Sequence, residues 1–501
     1  MSRPTRSDLV LGIDQGSGGT TALLVDAAGV IRARADVPVR THFPEPGLAE
    51  QDPDEIFESV VSAARLALRQ RPAGTTVRGL GLAVQRSTTV FHSKRSGQRI
   101  YRAISWQDVR TTDKVDSLSK KAFFATRFPA ITGLRLMPHF AATKIAWAIR
   151  EHTDVRRAAM AGDLLASTLD AYIVRRLTEG AVYSTDSSMA ARTGLFDIQA
   201  GTWSAPILKS LGIPRAMLPD VVTTVGLRGS AKALEGLPIL AAVGDQSAAL
   251  VGAGALSPGE GRITAGTGLF ALLHTGPKPL RAPGVFSTLL WTLPGPKGPV
   301  ATYGIEANTP AAGAFIEWLI EPLRLFPSAT ELLKAARVAS SSGGVTIVPT
   351  LSGIGTPHFN AEGRALVAGL SRATGLPEIA RATVDGIANL AADLVECVEK
   401  AAKKKARRWV LDGGLAREPL FAGLVADALG RPLAVAREVE ATAYGAGLLA
   451  LHAARLRPLT APAPEAAPAQ TLRPSLTPAG RKARRKTWQS GVDAAVRFAA
   501  D

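Results

Sequence analysis

A single cysteine, Cys397, stands in 501 residues. An intramolecular disulfide is therefore excluded, and such cysteine usage suits a reducing compartment. No apolar run approaches the roughly 20 residues that a membrane-spanning helix needs. The apolar stretch behind the basic start MSRPTRSD is too short for the core of a secretory signal. The expectation is a cytoplasmic protein with no membrane partner. His42, His92 and His358 show no ligand spacing with one another or with Cys397, so no zinc site is expected. A phosphate loop ending in Gly-Lys-Ser/Thr, a Gly-x-Gly-x-x-Gly unit in a suitable context, and a Gly-x-Ser-x-Gly elbow are also missing.

Positive charge is not scarce. Against 42 Asp and Glu there are 59 Lys and Arg, a formal net charge of +17 that favours anionic partners. The densest cluster is Lys400, Lys403-Lys404-Lys405 and Arg407-Arg408. It lacks interleaved aromatics for base stacking, so a solvated helix end is preferred and nucleic acid is not expected as a partner. With 46% hydrophobic and 20% charged residues the chain is globular, and its length gives room for two cores.

The most informative segment is LVLGIDQGSGGTTALLVD, Leu9 to Asp26. Two strand-like runs flank Asp14 and a turn of Gly, Ser and Thr. Such a hairpin lets backbone N–H groups approach an anion, because glycine has no Cβ in the way. An acid on the first strand can hold a hydrated Mg²⁺ beside phosphates. The second half repeats the idea in GRITAGTGLFALLHTG, Gly261 to Gly276, and RRWVLDGGLAREPLF from Arg407 adds a Gly-Gly strand-to-helix turn. Together these point to a duplicated α/β architecture closing over a nucleotide.

Further along, DPDEIFESVVSAARLALRQ predicts a helix opened by an acidic, Pro-containing turn. LPILAAVGDQSAALVGAG predicts a buried strand, an acidic turn and a small-residue helix. Asp245 thus falls at a strand end, where open α/β sheets bind ligands, and either a general base or a helix N-cap fits it. Gln85 and Arg86 follow another buried strand. Trp106, in YRAISWQDVR, sets an aromatic plate beside polar groups, as polyol and sugar sites do. His139 can hydrogen-bond a hydroxyl. A long helix is predicted near 376–402, an extended Pro/Ala-rich strap over 457–474, and a basic terminal helix docked through Trp488, Val492 and Val496.

These segments resemble the FGGY family of carbohydrate kinases, and within it the glycerol kinases. The matching landmarks run in order: GIDQGS, PEPGLAEQDPDEI, QRSTT, SWQD, GDQSAAL, AGTGLF, GAFIEWL, SGIGTPHFNAEGRALVAGLSR, LDGGLAREPL and EVEATAYGAG. The resemblance implies an α/β fold of two actin-like (ribonuclease H-like) ATPase domains around a central cleft. The expected divisions are 1–253, 254–456, and a strap with a basic helix over 457–501. It implies ATP-dependent phosphorylation of a primary hydroxyl of a small polyol or sugar, with ATP and Mg²⁺ as cofactors. A homodimer is compatible with it. Asp245 maps to the catalytic base and Asp14 to a metal-associated acid. Nucleotide contacts map to Asp14, Ser17, Gly18, Gly19, Gly266, Thr267, Gly313, Glu317, Gly414 and Glu418, and substrate contacts to Arg86, Ser87, Trp106, His139, Asp245, Gln246 and Phe270.

The chain also departs from the glycerol kinase pattern. Ser87 stands where those enzymes carry Glu, His139 where they carry Tyr, Thr21 where Arg is usual, and Glu418 where Asn follows the Gly-Gly. A carboxylate accepts charge-assisted hydrogen bonds, about twice as strong as neutral ones. Ser87 therefore predicts an altered acceptor pocket. The competing expectation is a nucleotide-dependent regulator or scaffold on the same fold. The acids at 14 and 245 speak against it, since a scaffold needs no hydroxyl-activating carboxylate.

Overall fold

Strict alternation along the first strand already divides the core. In the computed structural model, which describes residues 7–309, 312–351, 353–360, 363–437 and 440–498, Leu9, Leu11 and Ile13 enter one buried cluster and Val10 enters another. A strand buried on both faces is what a parallel sheet covered by helices requires. The basic start, residues 1–6, lies outside the described residues.

The N-terminal sheet is built from β1 (Asp8–Gln15), β2 (Gly19–Asp26), β3 (Ile31–Pro38), β4 (Thr76–Val84) and β5 (Leu237–Gly244). A short strand at Ser230–Ala231 completes it, and the order across the sheet is 230–231, β5, β4, β1, β2, β3. β1, β2 and β3 meander antiparallel, whereas β4 and β5 run parallel to β1. Helix α1 (Pro53–Arg69) packs on this sheet; Asp52 caps its N-terminus and Pro53 occupies the first turn, as its sequence predicts.

The C-terminal sheet repeats the plan. Its strands are β6 (Glu260–Ala265), β7 (Leu269–Gly276), β8 (Phe286–Leu293), β9 (Val300–Thr309), β10 (Arg408–Asp412), β11 (Leu433–Ala436) and β12 (Pro468–Leu472). β6 pairs antiparallel with β7 and parallel with β10, which pairs parallel with β11. The chain thus forms two α/β domains that share a central plan, an antiparallel hairpin whose first strand is joined to two further parallel strands. Helix α3 (Leu376–Ala402) covers the second sheet, over the span the sequence predicts.

Two helices lie between the sheets: α2 (Asp245–Gly252), directly after β5, and α5 (Ala441–Ala453), which follows α4 (Pro419–Leu429). Their apolar side chains share a cluster with Val10 and Ala83 of the first sheet and Leu272 and Leu290 of the second. The two helices meet backbone to backbone. A Cβ on Gly445 would stand 1.8 Å from the Ala248 carbonyl oxygen, and one on Gly252 would stand 1.9 Å from that of Ala441.

The strap at 457–474 is more regular than its composition predicts, because β12 adds antiparallel to β11 and covers an otherwise open sheet edge. The terminal helix α6 (Pro478–Phe498) docks as expected, burying Trp488 and Val492 with Val496 partly buried beside them. Two of its arginines face acids of α3: Arg484 bonds Asp385 at 2.8 Å, and Arg485 bonds Asp393 at 2.5 Å. Two of the tail's cations are therefore engaged in docking. Among the described residues no helix is long and apolar enough to cross a membrane.

The helix crossing can be tested. Gly→Ala in a helix ordinarily gains about 1 kcal/mol. At Gly445 the added methyl meets backbone, which cannot swing aside. Gly445→Ala is expected to destabilise by about 1–3 kcal/mol, as overpacking does; a denaturation midpoint equal to or above wild type would contradict this.

Candidate active site

Register brings the N-terminal candidates to one edge. Asp14 is level with Ala83, and Val84 is level with both Gln15 and Gly244. Asp14, Gln85-Arg86 and Asp245 therefore emerge side by side at the carboxyl ends of three parallel neighbours, where such sheets bind ligands. In the second sheet Thr264 is level with Asp412, so the Gly266–Gly268 tip and the Gly413-Gly414 turn emerge together.

The first hairpin tip, Gly16–Gly18, is closed by a bond from Gly16 N–H to the Gly19 carbonyl at 2.8 Å. Ser17 is tied on several sides. Its hydroxyl donates to Gln85 Oε1 at 3.2 Å and accepts from the Trp106 indole N–H at 2.8 Å. Its carbonyl accepts from Gln51 at 3.0 Å. Gly18 remains open, since a Cβ placed there would meet no atom within 4 Å, and Gly19 packs against Val37. In the second hairpin Thr267 is exposed, and the Gly266 carbonyl accepts from Gly313 N–H at 3.0 Å, starting the helix Gly313–Ile320 that presents Glu317 to solvent. Gly414 is exposed, but Glu418 is not. The latter caps α4 through Leu420 N–H and forms a two-pronged ion pair with Arg337. The structure thus turns the Glu418 carboxylate toward Arg337 and the helix end.

Asp245 is the first residue of α2 and Gly244 is its N-cap, so the capping alternative for Asp245 does not hold. Its Oδ1 receives Arg86 Nε at 3.0 Å and Gln246 N–H at 2.8 Å. Its Oδ2 has only a 3.5 Å approach from the Gln246 side chain, and the carboxylate is 27% exposed. Oδ2 is the freer oxygen.

Arg86 is shared. Its Nη1 donates at 2.9 Å to Glu306, a fully buried carboxylate on β9 of the opposite sheet. Glu306 also accepts from Arg192 at 3.1 Å and Asn308 at 3.1 Å. Burial opposes ionisation of Glu306, but Arg192 and Arg86 overcome it and hold the carboxyl at about 2. Arg86 is penalised by burial too, yet Glu306 and Asp245 leave it raised. Arg192 lies over the rings of Phe140 (5.5 Å) and Phe286 (5.3 Å), with two guanidinium nitrogens lacking hydrogen-bond partners, and burial pulls it down to about 10.

Ser87 adopts φ 68° and points its hydroxyl at the Arg192 carbonyl, 3.1 Å away. Burial, helped by Arg192 and Lys144, pushes His139 down to about 3, so its ring is neutral at working pH. Phe270 lies level with Asn308 on β9, and Gln246 accepts from Arg262 at 3.0 Å.

Asp14 is half-buried, and its Oδ1 is a buried atom with no hydrogen-bond partner among the described residues. Burial raises its pKa well above the ordinary value, Asp245 and Glu440 raise it further, and only Arg262 opposes them. Asp412 has a similarly orphaned oxygen, while its other is bonded to Arg262. Among the described residues no three metal-ligating side chains converge. Glu306, Arg192, Arg262 and Asp412 escape motif reading. A charge inside the apolar strand YGIEANT was the available signal for Glu306, but nothing in the sequence names its partners.

Two α/β lobes, each with strand-end carboxylates and a glycine hairpin, fit an actin-like kinase fold. Residues 9–252 match the model of the N-terminal domain of the FGGY family of carbohydrate kinases, and residues 261–454 match that of its C-terminal domain. A glycerol kinase of Alkalilimnicola ehrlichii is 35% identical over 98% of this chain and 99% of its own. Among solved structures, a Plasmodium falciparum glycerol kinase with ADP superposes with TM-score 0.88 at 23% identity, covering 98% of each chain. A gluconate kinase of Lactobacillus acidophilus gives 0.87 at 21%, covering 99% of each. The chain belongs to the FGGY family of carbohydrate kinases, enzymes that phosphorylate an alcohol group.

Glu306→Gln leaves the buried Arg192 guanidinium without a carboxylate and Arg86 with Asp245 alone, a loss of about 3–5 kcal/mol for a broken buried pair. Because the folded carboxyl is held at about 2 against an ordinary 4.5, the stabilisation is complete above 4.5 and vanishes as pH falls through 2. The wild type should therefore exceed the variant in unfolding free energy at pH 7, with the gap narrowing below pH 4.5. A gap that does not change with pH would refute the assignment.

Proposed function

We propose that the chain transfers the terminal phosphoryl group of ATP to a primary hydroxyl of a small polyol or sugar, between lobes formed by residues 1–253 and 254–456, with 457–501 as a strap and docked helix. The observation that carries this reading is Asp245: a partly exposed carboxylate whose Oδ1 is held by Arg86 and Gln246 N–H while Oδ2 has only a 3.5 Å approach from the Gln246 side chain. Phosphoryl transfer demands positioning and charge stabilisation more than covalent chemistry. In this mechanism Oδ2 takes the proton of the attacking hydroxyl while Arg86 keeps the carboxylate aimed. Trp106, His139, Gln246 and Phe270 contact the acceptor. The tips at Ser17–Gly19 and Gly266–Thr267 present backbone N–H groups to the β- and γ-phosphates. Gly313, Glu317, Gly414 and Glu418, the last through Arg337, border the nucleoside.

The donor set at Asp14 fits Mg²⁺. Its orphaned buried oxygen and raised pKa mark a carboxylate that lacks a cation, and Mg²⁺ commonly takes one or two carboxylates with phosphate oxygens and water. When bound, the ion would neutralise charge on the phosphates.

The acceptor is inferred to differ from glycerol. Ser87 offers no carboxylate to substrate hydroxyls, and its own hydroxyl is spent on the Arg192 backbone carbonyl. A gluconate kinase on this fold superposes nearly as well as a glycerol kinase, so the scaffold accommodates more than one acceptor.

Two tests follow from these assignments. Asp245→Asn should bind nucleotide normally and lose about 10²–10⁴-fold in kcat, the usual worth of general-base assistance; near-normal turnover would remove Asp245 from the role. Ser87→Glu with His139→Tyr should raise kcat/KM for glycerol by about ten- to a hundredfold, the value of one charge-assisted contact. Both single variants belong beside the double, because the sites share a ligand. Efficient glycerol turnover by the unmodified protein, with no better acceptor among tetritols, pentitols and ketoses, would refute the altered pocket and leave the kinase standing.

A further inference from the structure

Lys144 is fully buried on the helix Ala141–Glu151, and among the described residues its ammonium has no carboxylate in direct contact. The nearby Asp108 is already engaged by Arg110 and by the Ala49 N–H. Lys144 instead donates to two backbone carbonyls, Ser105 O at 2.6 Å and His139 O at 2.9 Å. Burying a cation against neutral dipoles alone is costly, and a purely apolar side chain would fill the space without that penalty. What the ammonium adds is a bond to each of two loops that do not otherwise share a strand.

Those two loops carry the acceptor-pocket residues. Ser105 precedes Trp106, whose backbone N–H donates to Thr88 at 3.2 Å and whose indole donates to Ser17 at 2.8 Å. The other carbonyl is that of His139 itself, which lies within the field of Arg192, Arg86 and Glu306. A hydroxyl pair, Thr111 with Thr143 at 3.0 Å, and a bond from Thr111 to the Pro138 carbonyl at 3.3 Å fasten the same loops beside the lysine.

We propose that Lys144 is a positioning residue that sets the separation between Trp106 and His139 and thereby the fit of the acceptor. This rests on the kinase reading above. Lys144 touches neither the phosphates nor Asp245, so its contribution falls on acceptor binding and spares the nucleotide. Burial pulls its ammonium down to about 7, with Asp108 opposing and Arg110 reinforcing the shift. His139 is the other titratable group facing it and is already neutral in that range. The clamp therefore weakens as pH rises through about 7, when charge-assisted bonds become neutral amine bonds.

Lys144→Met keeps the length of the side chain and removes its donors. The expected result is a rise of about tenfold or more in KM for the best acceptor, as misplacement of binding groups produces, with KM for ATP within about twofold of wild type. Amide hydrogen exchange over 105–108 and 137–141 should speed up in the same variant without any substrate. In the wild type, acceptor KM should climb between pH 6.5 and 8.5, and this climb should disappear in the variant. An unchanged acceptor KM with unchanged exchange in those loops overturns the proposal, as does a parallel rise in both KM values. Should the variant not fold, an acceptor KM that is flat with pH in the wild type overturns it. Absence of turnover with any polyol or sugar in the wild type would overturn the kinase reading instead, and faster exchange in Lys144→Met would then still support the clamp.

Discussion

The Arg86 guanidinium, held between Asp245 on one side and Glu306 on the other, is the interaction on which the site depends. Asp245 and Arg86 arise from one sheet and Glu306 from the other. Each charge is expensive to bury alone, and the arrangement persists because every member has an opposite partner. Glu306 collects two arginines and stays ionised far below its ordinary range. Arg86 thereby has a fixed direction, and so does the oxygen of Asp245 that it holds. The geometry of the candidate base is a property of both halves of the chain.

That contact needs the two sheets at one fixed separation, which α2 and α5 provide. Glycines at 252 and 445 let the two helices touch through their backbones, which fixes the spacing between them. The same helices carry functional positions at their ends. Asp245 opens α2, and Glu440, whose charge reaches Asp14, precedes α5. Packing and electrostatics are therefore coupled: a spacing error between the helices would be felt at the carboxylates.

Part of the terminal helix's charge serves its docking. Arg484 and Arg485 of the terminal helix face Asp385, Asp393 and Glu396, and the Trp488 indole bonds Asp393. These pairs dock a helix to its own domain. The strap before it supplies an edge strand and shields β11 from pairing with other chains.

Much of this was legible in the sequence, for a physical reason. Strand alternation, glycine turns and helix caps act over a few residues, so the two hairpins, α1, the span of α3 and the strand-end place of Asp245 could be read directly. Motif order extended that reading to the family, because each landmark is a short local segment that can be recognised without its tertiary partners. What only the tertiary structure decided are the partners of charges brought together across long separations. Glu306 meets Arg86 from 220 positions away, and Asp412 meets Arg262 from 150. Lys144 clamps a carbonyl 39 positions back, and the Glu418 carboxylate turns to Arg337 rather than outward. Local sequence sets backbone conformation through short-range sterics and hydrogen bonds; the pairing of buried charges follows only from how the sheets and loops come to rest against one another.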